Sequence, residues 1–542
     1  VSRPIAVIDC ETDPFLAGRV PEPFIWGWYD GAEFRYWEHE QIESFIEFIS
    51  KRKCIVYAHN GGKFDYHFLK PWIKTGDEIM VINGRLARFK IGHAEFRDSW
   101  NIIPAKLAAY EKTVIDYSKF EREVRYKTEN WREIVSYLSD DCVNLFELVS
   151  RFIDRFGMRL TQAGASMNEW QKISEEKPED SGEEFFKAFQ PYYYGGRVQC
   201  FQRGVIAEPF KVLDINSAYP YAMLHDHPRG LDYVTTDGYV EHAHFFRLVA
   251  QSTGVFPYRN QLAHKLEFPA DNAYREFFIT HWELQAAIDT DCLRGARILE
   301  STTFEQTGSF EQYIEQFYNE RLKARAEKDK VGDLFAKLFM NSLYGKWAAN
   351  PEGYKTYVVV ESADDAPADA EFTAIADFGG HLLMSKPLDS WRRRYYNVCT
   401  AASITGFVRA MLWEAIHGCG LDNMLYCDTD SIASKLIGPG IELGTKLGQW
   451  KDEGDFVRAA IAGKKLYAFE SAAPKKGLLT WDQRLSDERE GTFKVASKGT
   501  RLTPAELFDV ARGGTVYYSP EVPTFTVVKD PHFTARKIVA TR

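Results

Sequence analysis

The segment Tyr426-Cys-Asp428-Thr-Asp430-Ser431 holds two aspartates two residues apart at an expected hairpin turn. Far upstream, Lys211-Val-Leu-Asp214-Ile-Asn-Ser217-Ala-Tyr219-Pro220 reads as a strand that ends in a third carboxylate, with the proline limiting its continuation. Three carboxylates can hold two metal ions, but only in a fold that brings this strand and this hairpin together. Between them, Lys337-Leu-Phe-Met-Asn341-Ser342-Leu-Tyr344-Gly345 has helical spacing, so Lys337, Asn341 and Tyr344 share a face that Gly345 could end or bend. A lysine there can neutralise a triphosphate, and a tyrosine can stack on a base or sugar.

A second acidic set lies near the N-terminus. Residues 5–9 and 54–58 are short apolar runs of strand character, and Asp9-Cys10-Glu11 ends the first with both acids on one face. Asp65 follows the loop His59-Asn60-Gly61-Gly62-Lys63-Phe64, while Tyr137 and Asp141 sit four apart on a helix predicted over 131–156. Four such acids can converge on Mg²⁺ or Mn²⁺, and two ions about 4 Å apart activate water and stabilise the leaving oxygen of a phosphodiester. A phenol four residues before a carboxylate can orient the attacking water. Alternating strands and helices predict an α/β unit ending near residue 170, before a polar stretch at 171–184 that reads as a loop. The acidic, Ala/Pro-rich stretch 361–371, flanked by strand-like Tyr357-Val-Val-Val360, reads as an inserted, exposed element.

At 542 residues the chain needs two to four packed units. No stretch approaches a membrane span, the opening Val1-Ser2-Arg3 lacks a secretory pattern, and eight scattered cysteines form no Cys-x-x-Cys pair. A cytosolic protein without a zinc site or disulfide framework is the expectation. The net charge of -10 does not exclude a nucleic-acid partner, because a basic groove is local and metal-binding carboxylates count on the acidic side. Basic clusters stand at Arg321-Leu-Lys323-Ala-Arg325, Arg392-Arg393-Arg394 and between Lys494 and Arg501.

These motifs, in this order, resemble those of family B DNA polymerases. The resemblance is strongest to the protein-primed, tectivirus-like branch from bacteriophages with terminal-protein-capped linear genomes. It runs over nearly the whole chain and includes Glu11-Thr-Asp-Pro-Phe15, Tyr57-Ala-His-Asn-Gly-Gly-Lys-Phe-Asp65, Gly157-Met-Arg-Leu-Thr161 and Ala462-Gly-Lys-Lys-Leu-Tyr467. It implies an α/β multidomain fold: a ribonuclease-H-like exonuclease domain followed by palm, fingers and thumb. By resemblance Asp9, Glu11, Asp65 and Asp141 are exonuclease metal ligands, with Lys112 and Tyr137 as helpers. Thr12, Tyr57, His59, Asn60, Phe64, Phe68 and Ser99 are contacts to a frayed primer end, where aromatics can stack on unpaired bases. Tyr193, Gly195 and Gly196 match the segment that links the two domains and holds the template. In the palm, Asp214 and Asp428 are metal ligands with Asp430 beside them, and Tyr219 is the gate against ribose. Arg325, Lys337, Asn341 and Tyr344 face the nucleotide, while Thr405, Arg409, Lys465, Tyr467 and Lys498 face primer-template DNA.

The resemblance further implies an exonuclease domain at 1–170, linker and first palm part at 171–257, fingers at 319–348, second palm part at 391–484 and thumb at 485–542. Insertions at 258–318 and 349–390 suit subdomains that dock a priming protein and close around the template. The expected reaction is attack of a primer 3′-hydroxyl on the α-phosphate of a dNTP, with two Mg²⁺ or Mn²⁺ per site. Mispaired ends would be trimmed 3′→5′. Initiation would use a hydroxyl of a separate terminal protein, in a monomer working in the cytoplasm of the infected bacterial host. Two rivals are a family B polymerase using nucleic-acid primers or none, and a non-catalytic scaffold at replication origins. Intact carboxylates in both sets count against the scaffold.

Overall fold

The computed structural model describes residues 3–105, 115–260, 265–367, 371–472 and 493–540. The strand Ile5–Thr12 is an inner strand, third from one edge of a ten-stranded sheet, parallel to Ile55–Ala58 and antiparallel to Pro23–Tyr29. Its apolar start, Ala6-Val-Ile8, is buried on both faces, which is why it reads as a continuous hydrophobic run and not as an alternation. The helix Thr128–Phe156, three residues longer at its start than predicted, covers one face. A Cβ on Gly27 would lie 2.9 Å from Leu138 Cγ, so glycine lets helix and sheet close up beside the acids.

The stretch 171–184 is not a continuous loop. The helix Gln162–Ser174 runs into it and Gly182–Phe189 begins within it. Thr161 Oγ1 caps the first helix at Gly164 N–H, and Trp170 is buried against Phe310 and Trp347. Between the two helices, residues 175–181 form the polar, irregular connection that the composition predicts.

The interval 349–390 adds three strands, Lys355–Val360, Thr373–Phe378 and His381–Pro387, to the N-terminal sheet through Tyr357↔Ile79 and Val358↔Glu78. Val359, Phe378 and Leu383 share one core with Ala6 and Phe89. Among the described residues, 361–367 of its acidic connection are largely exposed, as is most of the strand Thr373–Phe378.

A second, eight-stranded sheet contains Phe210–Ile215 between Trp450–Gly463 and Ser431–Ser434, followed by Met424–Asp428 and Val198–Cys200. The apolar helix Val398–Cys419 packs on Ser431–Ser434 and on Lys330–Trp347, which in turn pairs with Glu311–Ala326. Gly345 does not end the helix Lys330–Trp347, because Leu343 and Trp347 bury its inner face. A four-stranded sheet, His227–Asp237, Arg297–Gly308, Phe245–Gln251 and Tyr274–Thr280, stands beside them. Near the C-terminus the hairpin Thr524–Thr526 and Lys529–His532 reaches back to the N-terminal unit, where Phe525 packs on Phe64, His67 and Phe68. No described helix is long and apolar enough to cross a membrane.

Candidate active sites

Ser431 is the register partner of both Asp214 and Asp428, so these two acids flank one strand end. Thr429 and Asp430 form the turn, with Thr429 at φ 64°. The turn is pinned from three sides: Ile215 N–H donates to Asp430 O at 2.8 Å, Asp430 N–H to Asp428 O at 2.7 Å, and Thr429 N–H to Arg197 O at 2.7 Å. A Cβ on Gly196 would fall 2.7 Å from Thr429 Cγ2, so Gly196 is required for the Tyr193-Tyr-Gly-Gly segment to lie against the turn. Burial, followed by the charge of Asp214, pushes the Asp430 carboxyl up to about 6. Asp214 is likewise raised, first by burial and then by Glu453.

Glu453 is the residue the sequence reading missed. Leu213 pairs with Asp452 but Val212 with Gly454, leaving Glu453 as the extra residue of a β-bulge. Bulges re-aim side chains, and this one brings a fourth acid into the field of Asp214. Lys451 Nζ holds it at 2.5 Å and Lys494 Nζ lies 3.8 Å away. Only strand register could have found it, since Lys451-Asp-Glu453 alone reads as a solvated charge run. Lys465 Nζ donates to Asp428 Oδ1 at 2.7 Å.

In the N-terminal unit, ligand oxygens of Asp9 and Glu11 on the sheet and of Asp141 on the helix Thr128–Phe156 lie within 4.8 Å of one another. This all-oxygen donor set suits a hard divalent cation. Asp65 stands behind the trio and accepts the Cys10 N–H at 3.2 Å on Oδ1, and burial raises its carboxyl above the usual range. Three of the four predicted acids are therefore brought together, and Asp65 supports the strand between two of them. Tyr137 is buried with its hydroxyl 3.3 Å from that of Tyr117, and burial raises it first, then that hydrogen bond. Lys112 lies outside the described residues.

A sequence profile described as DNA polymerase type B, organellar and viral, matches residues 108–403. The DNA-directed DNA polymerase of Enterobacteria phage PRD1 is 36% identical over 514 residues, covering 94% of this chain and 87% of that one. This chain belongs to the type B DNA polymerases. A more distant relative, the DNA polymerase of Bacillus phage Nf, is 26% identical over 207 residues, 35% of this chain and 31% of its own. The fold is that of Phi29 DNA polymerase: its complex with single-stranded DNA superposes with a TM-score of 0.75 at 19% identity, covering 100% of both chains. Its ternary complex with primer-template DNA and incoming nucleotides gives 0.73 at 20% identity, also over 100% of both.

In this type B polymerase the Tyr219 and Tyr344 rings stack, with centroids 4.4 Å apart and planes at 5°. Lys337 is exposed on the same helix as Tyr344, and its carbonyl accepts from Asn341 Nδ2 at 2.8 Å. Arg325, expected to face the triphosphate, is exposed, and its Nε donates to Asp333 Oδ1 at 3.0 Å, beside Arg321 at 2.9 Å, binding the two helices together.

Several residues expected to touch DNA are buried and bonded within the protein. Thr12, Tyr57, Ser99, Thr405 and Arg409 are all enclosed. Ser99 Oγ donates to Ala58 O at 3.1 Å and lies 3.0 Å from His59 Nδ1, while Thr405 Oγ1 donates to Ala402 O. Arg409 Nε is paired with Glu283 Oε1 at 2.8 Å, and its Nη1 donates to Tyr194 O and Gly195 O at 2.7 and 3.1 Å. It thereby fixes the Tyr-x-Gly-Gly backbone from behind. Glu283→Ala should cost about 3–5 kcal/mol, seen as a fall in thermal midpoint, because it strands a buried guanidinium; an unchanged midpoint would refute this role. Tyr467 is largely covered by Phe469 and Tyr426, at centroid distances of 4.3 and 4.8 Å. Asn60 Oδ1 accepts from Arg85 at 2.5 Å, and Phe64 sits among Phe15, Phe68 and Phe525. Tyr193 is half-buried, Gly195 has open space where a Cβ would be, and Lys498 is exposed.

Proposed function

We propose that this DNA polymerase carries two separate reaction centres, one extending a primer and one trimming it 3′→5′, and that it starts replication from a terminal protein. The observation that carries the two-centre reading is that Asp9 and Glu11 on one sheet meet Asp141 on the helix that covers it, while Asp214, Asp428 and Asp430 gather at the strand ends of another sheet. Mg²⁺ or Mn²⁺ held by these carboxylates, two ions per site, would stabilise the attacking and leaving oxygens of phosphoryl transfer. The chain's own part is positional. The pinned Thr429–Asp430 turn fixes the palm acids, and the face of Lys337, Asn341 and Tyr344 receives the triphosphate, base and sugar. Asp65 and Tyr137 order the trimming site, with Lys112 as its further helper. Phe64, Phe68, His59 and Asn60 receive an unpaired 3′ end.

The domain reading assigns 1–170 to the exonuclease, 171–257 and 391–484 to palm, 319–348 to fingers and 485–542 to thumb. The intervals 258–318 and 349–390 serve the priming protein and the template. Such an enzyme would act as a monomer in the cytoplasm of an infected bacterium.

Tyr219 excludes ribonucleotides sterically, because its ring stands against Tyr344 where a sugar would approach. Tyr219→Val should raise rNTP incorporation relative to dNTP by about tenfold or more, roughly 1.4 kcal/mol. An unchanged ratio of incorporation efficiencies would place discrimination elsewhere.

Priming is tested by incubating the polymerase with a candidate terminal protein, Mg²⁺ and one labelled dNTP. A covalently labelled terminal protein is expected. Absence of label, in a preparation that extends an ordinary primed template, would favour the nucleic-acid-primed alternative.

A further inference from the structure

Lys465 occupies the turn between Trp450–Gly463 and Leu466–Ser471 at φ 56°, a left-handed conformation that a non-glycine residue keeps only when its surroundings hold it. They do. Its N–H donates to Tyr426 Oη at 2.8 Å, and its carbonyl accepts from Lys498 N–H at 3.0 Å. The backbone is thus tied both to the strand bearing Asp428 and to the C-terminal unit, leaving the side chain as the part free to swing. Its ammonium reaches Asp428 Oδ1 at 2.7 Å, and Thr429 Oγ1 donates to the same oxygen at 3.1 Å. A carboxylate oxygen offers two lone-pair directions, so Oδ1 is fully engaged. The lysine side chain is 37% exposed, so the ion pair is open to solvent and is not sealed in a core.

We propose that Lys465 is a positioning residue that couples capture of a DNA 3′ end to cation binding at Asp428. The proposal rests on Asp428 being a metal ligand and Lys465 a primer contact. In the DNA-free protein the ammonium holds Oδ1 and its charge disfavours a divalent cation there. A primer phosphate offers the ammonium an alternative oxygen within the sweep of its four-carbon stem, and the exchange releases Oδ1. Lysine suits this exchange because its ammonium is a compact charge on a flexible stem, whereas arginine's fork commits to a bidentate partner. Linkage makes the effect reciprocal: whatever primer DNA adds to cation affinity, the cation adds to primer affinity. The polymerase would then assemble its palm cation site on a correctly seated 3′ end.

The test uses the full chain with Asp9→Ala and Glu11→Ala in the background, so that Mn²⁺ binding, followed by electron paramagnetic resonance, reports on the palm. Primer-template ending in a dideoxynucleotide should tighten Mn²⁺ binding about tenfold, within the usual range of such couplings. Lys465→Met, checked by thermal unfolding, should bind Mn²⁺ about tenfold more tightly than its parent without DNA and lose most of the DNA effect. Lys465→Gln provides a second neutral variant should the first fold poorly, and Lys465→Arg should retain the parental DNA-free affinity. Unchanged DNA-free affinity in both neutral variants would overturn the coupling. Undiminished palm binding in Asp428→Asn would instead remove the ligand reading beneath it, and the proposal with it.

Discussion

Asp428→Ala should lower extension of a matched primer by about a thousandfold, roughly 4 kcal/mol of barrier, while degradation of single-stranded DNA from its 3′ end stays near the parental rate. The separation follows from the architecture. Asp428 ends a strand of the second sheet and is bonded to Lys465 and Thr429, whereas Asp9 and Glu11 sit on the first sheet and Asp141 on the helix Thr128–Phe156 that covers it. No hydrogen bond described for Asp428 leads to that trio. Primer extension and single-strand digestion measured on the same preparation decide the matter. Extension within tenfold of the parent would mean that Asp428 is not a ligand of the extending centre, and equal loss of both activities in a folded protein would mean that the two clusters are not independent.

The palm was legible because its information is local. Two aspartates flanking one threonine, after an apolar strand and before a serine, specify a tight turn with acids at its mouth, and that turn is where the structure has it. Asp9 and Glu11 were legible for the same reason, since strand alternation alone sets them on one face. Glu453 was not, because its role depends on a bulge created by pairing with a strand hundreds of residues earlier. Register across such a distance leaves no mark in composition. The strands of 349–390 were hidden likewise: their apolar pattern announces a sheet but not which sheet they extend.

Motif membership also says less about contact than about placement. Tyr57, Ser99 and Arg409 sit in the segments the resemblance singles out, yet each faces inward. Arg409 illustrates why. A guanidinium that donates to two carbonyls of the Tyr193-Tyr-Gly-Gly backbone shapes that segment from within the protein, and burial beside Glu283 keeps that geometry rigid. Sequence cannot separate a residue that touches DNA from one that holds the residue that does, because both are fixed by the same neighbours.

Replacing Asp9 and Glu11 together with alanine should remove 3′→5′ degradation, by about a thousandfold or more, and leave extension of matched primers intact. The variant also carries an internal control on folding. Two unit charges 4.8 Å apart, the span of the Asp9, Glu11 and Asp141 oxygens, repel by roughly 3.5 kcal/mol at an effective dielectric of 20. Removing two of the three acids relieves that repulsion, so in a chelator the thermal midpoint of the double variant should equal or exceed that of the parent. Excess Mg²⁺ should reverse the order, since only the parent retains the full donor set and gains stability by binding. A midpoint lower than the parent's in chelator would mean that these side chains hold the sheet together, and lost degradation could then be read as damage. Retained degradation at an unchanged midpoint would refute the site itself, and Asp65 and Asp141 would have to be sought as members of a different one.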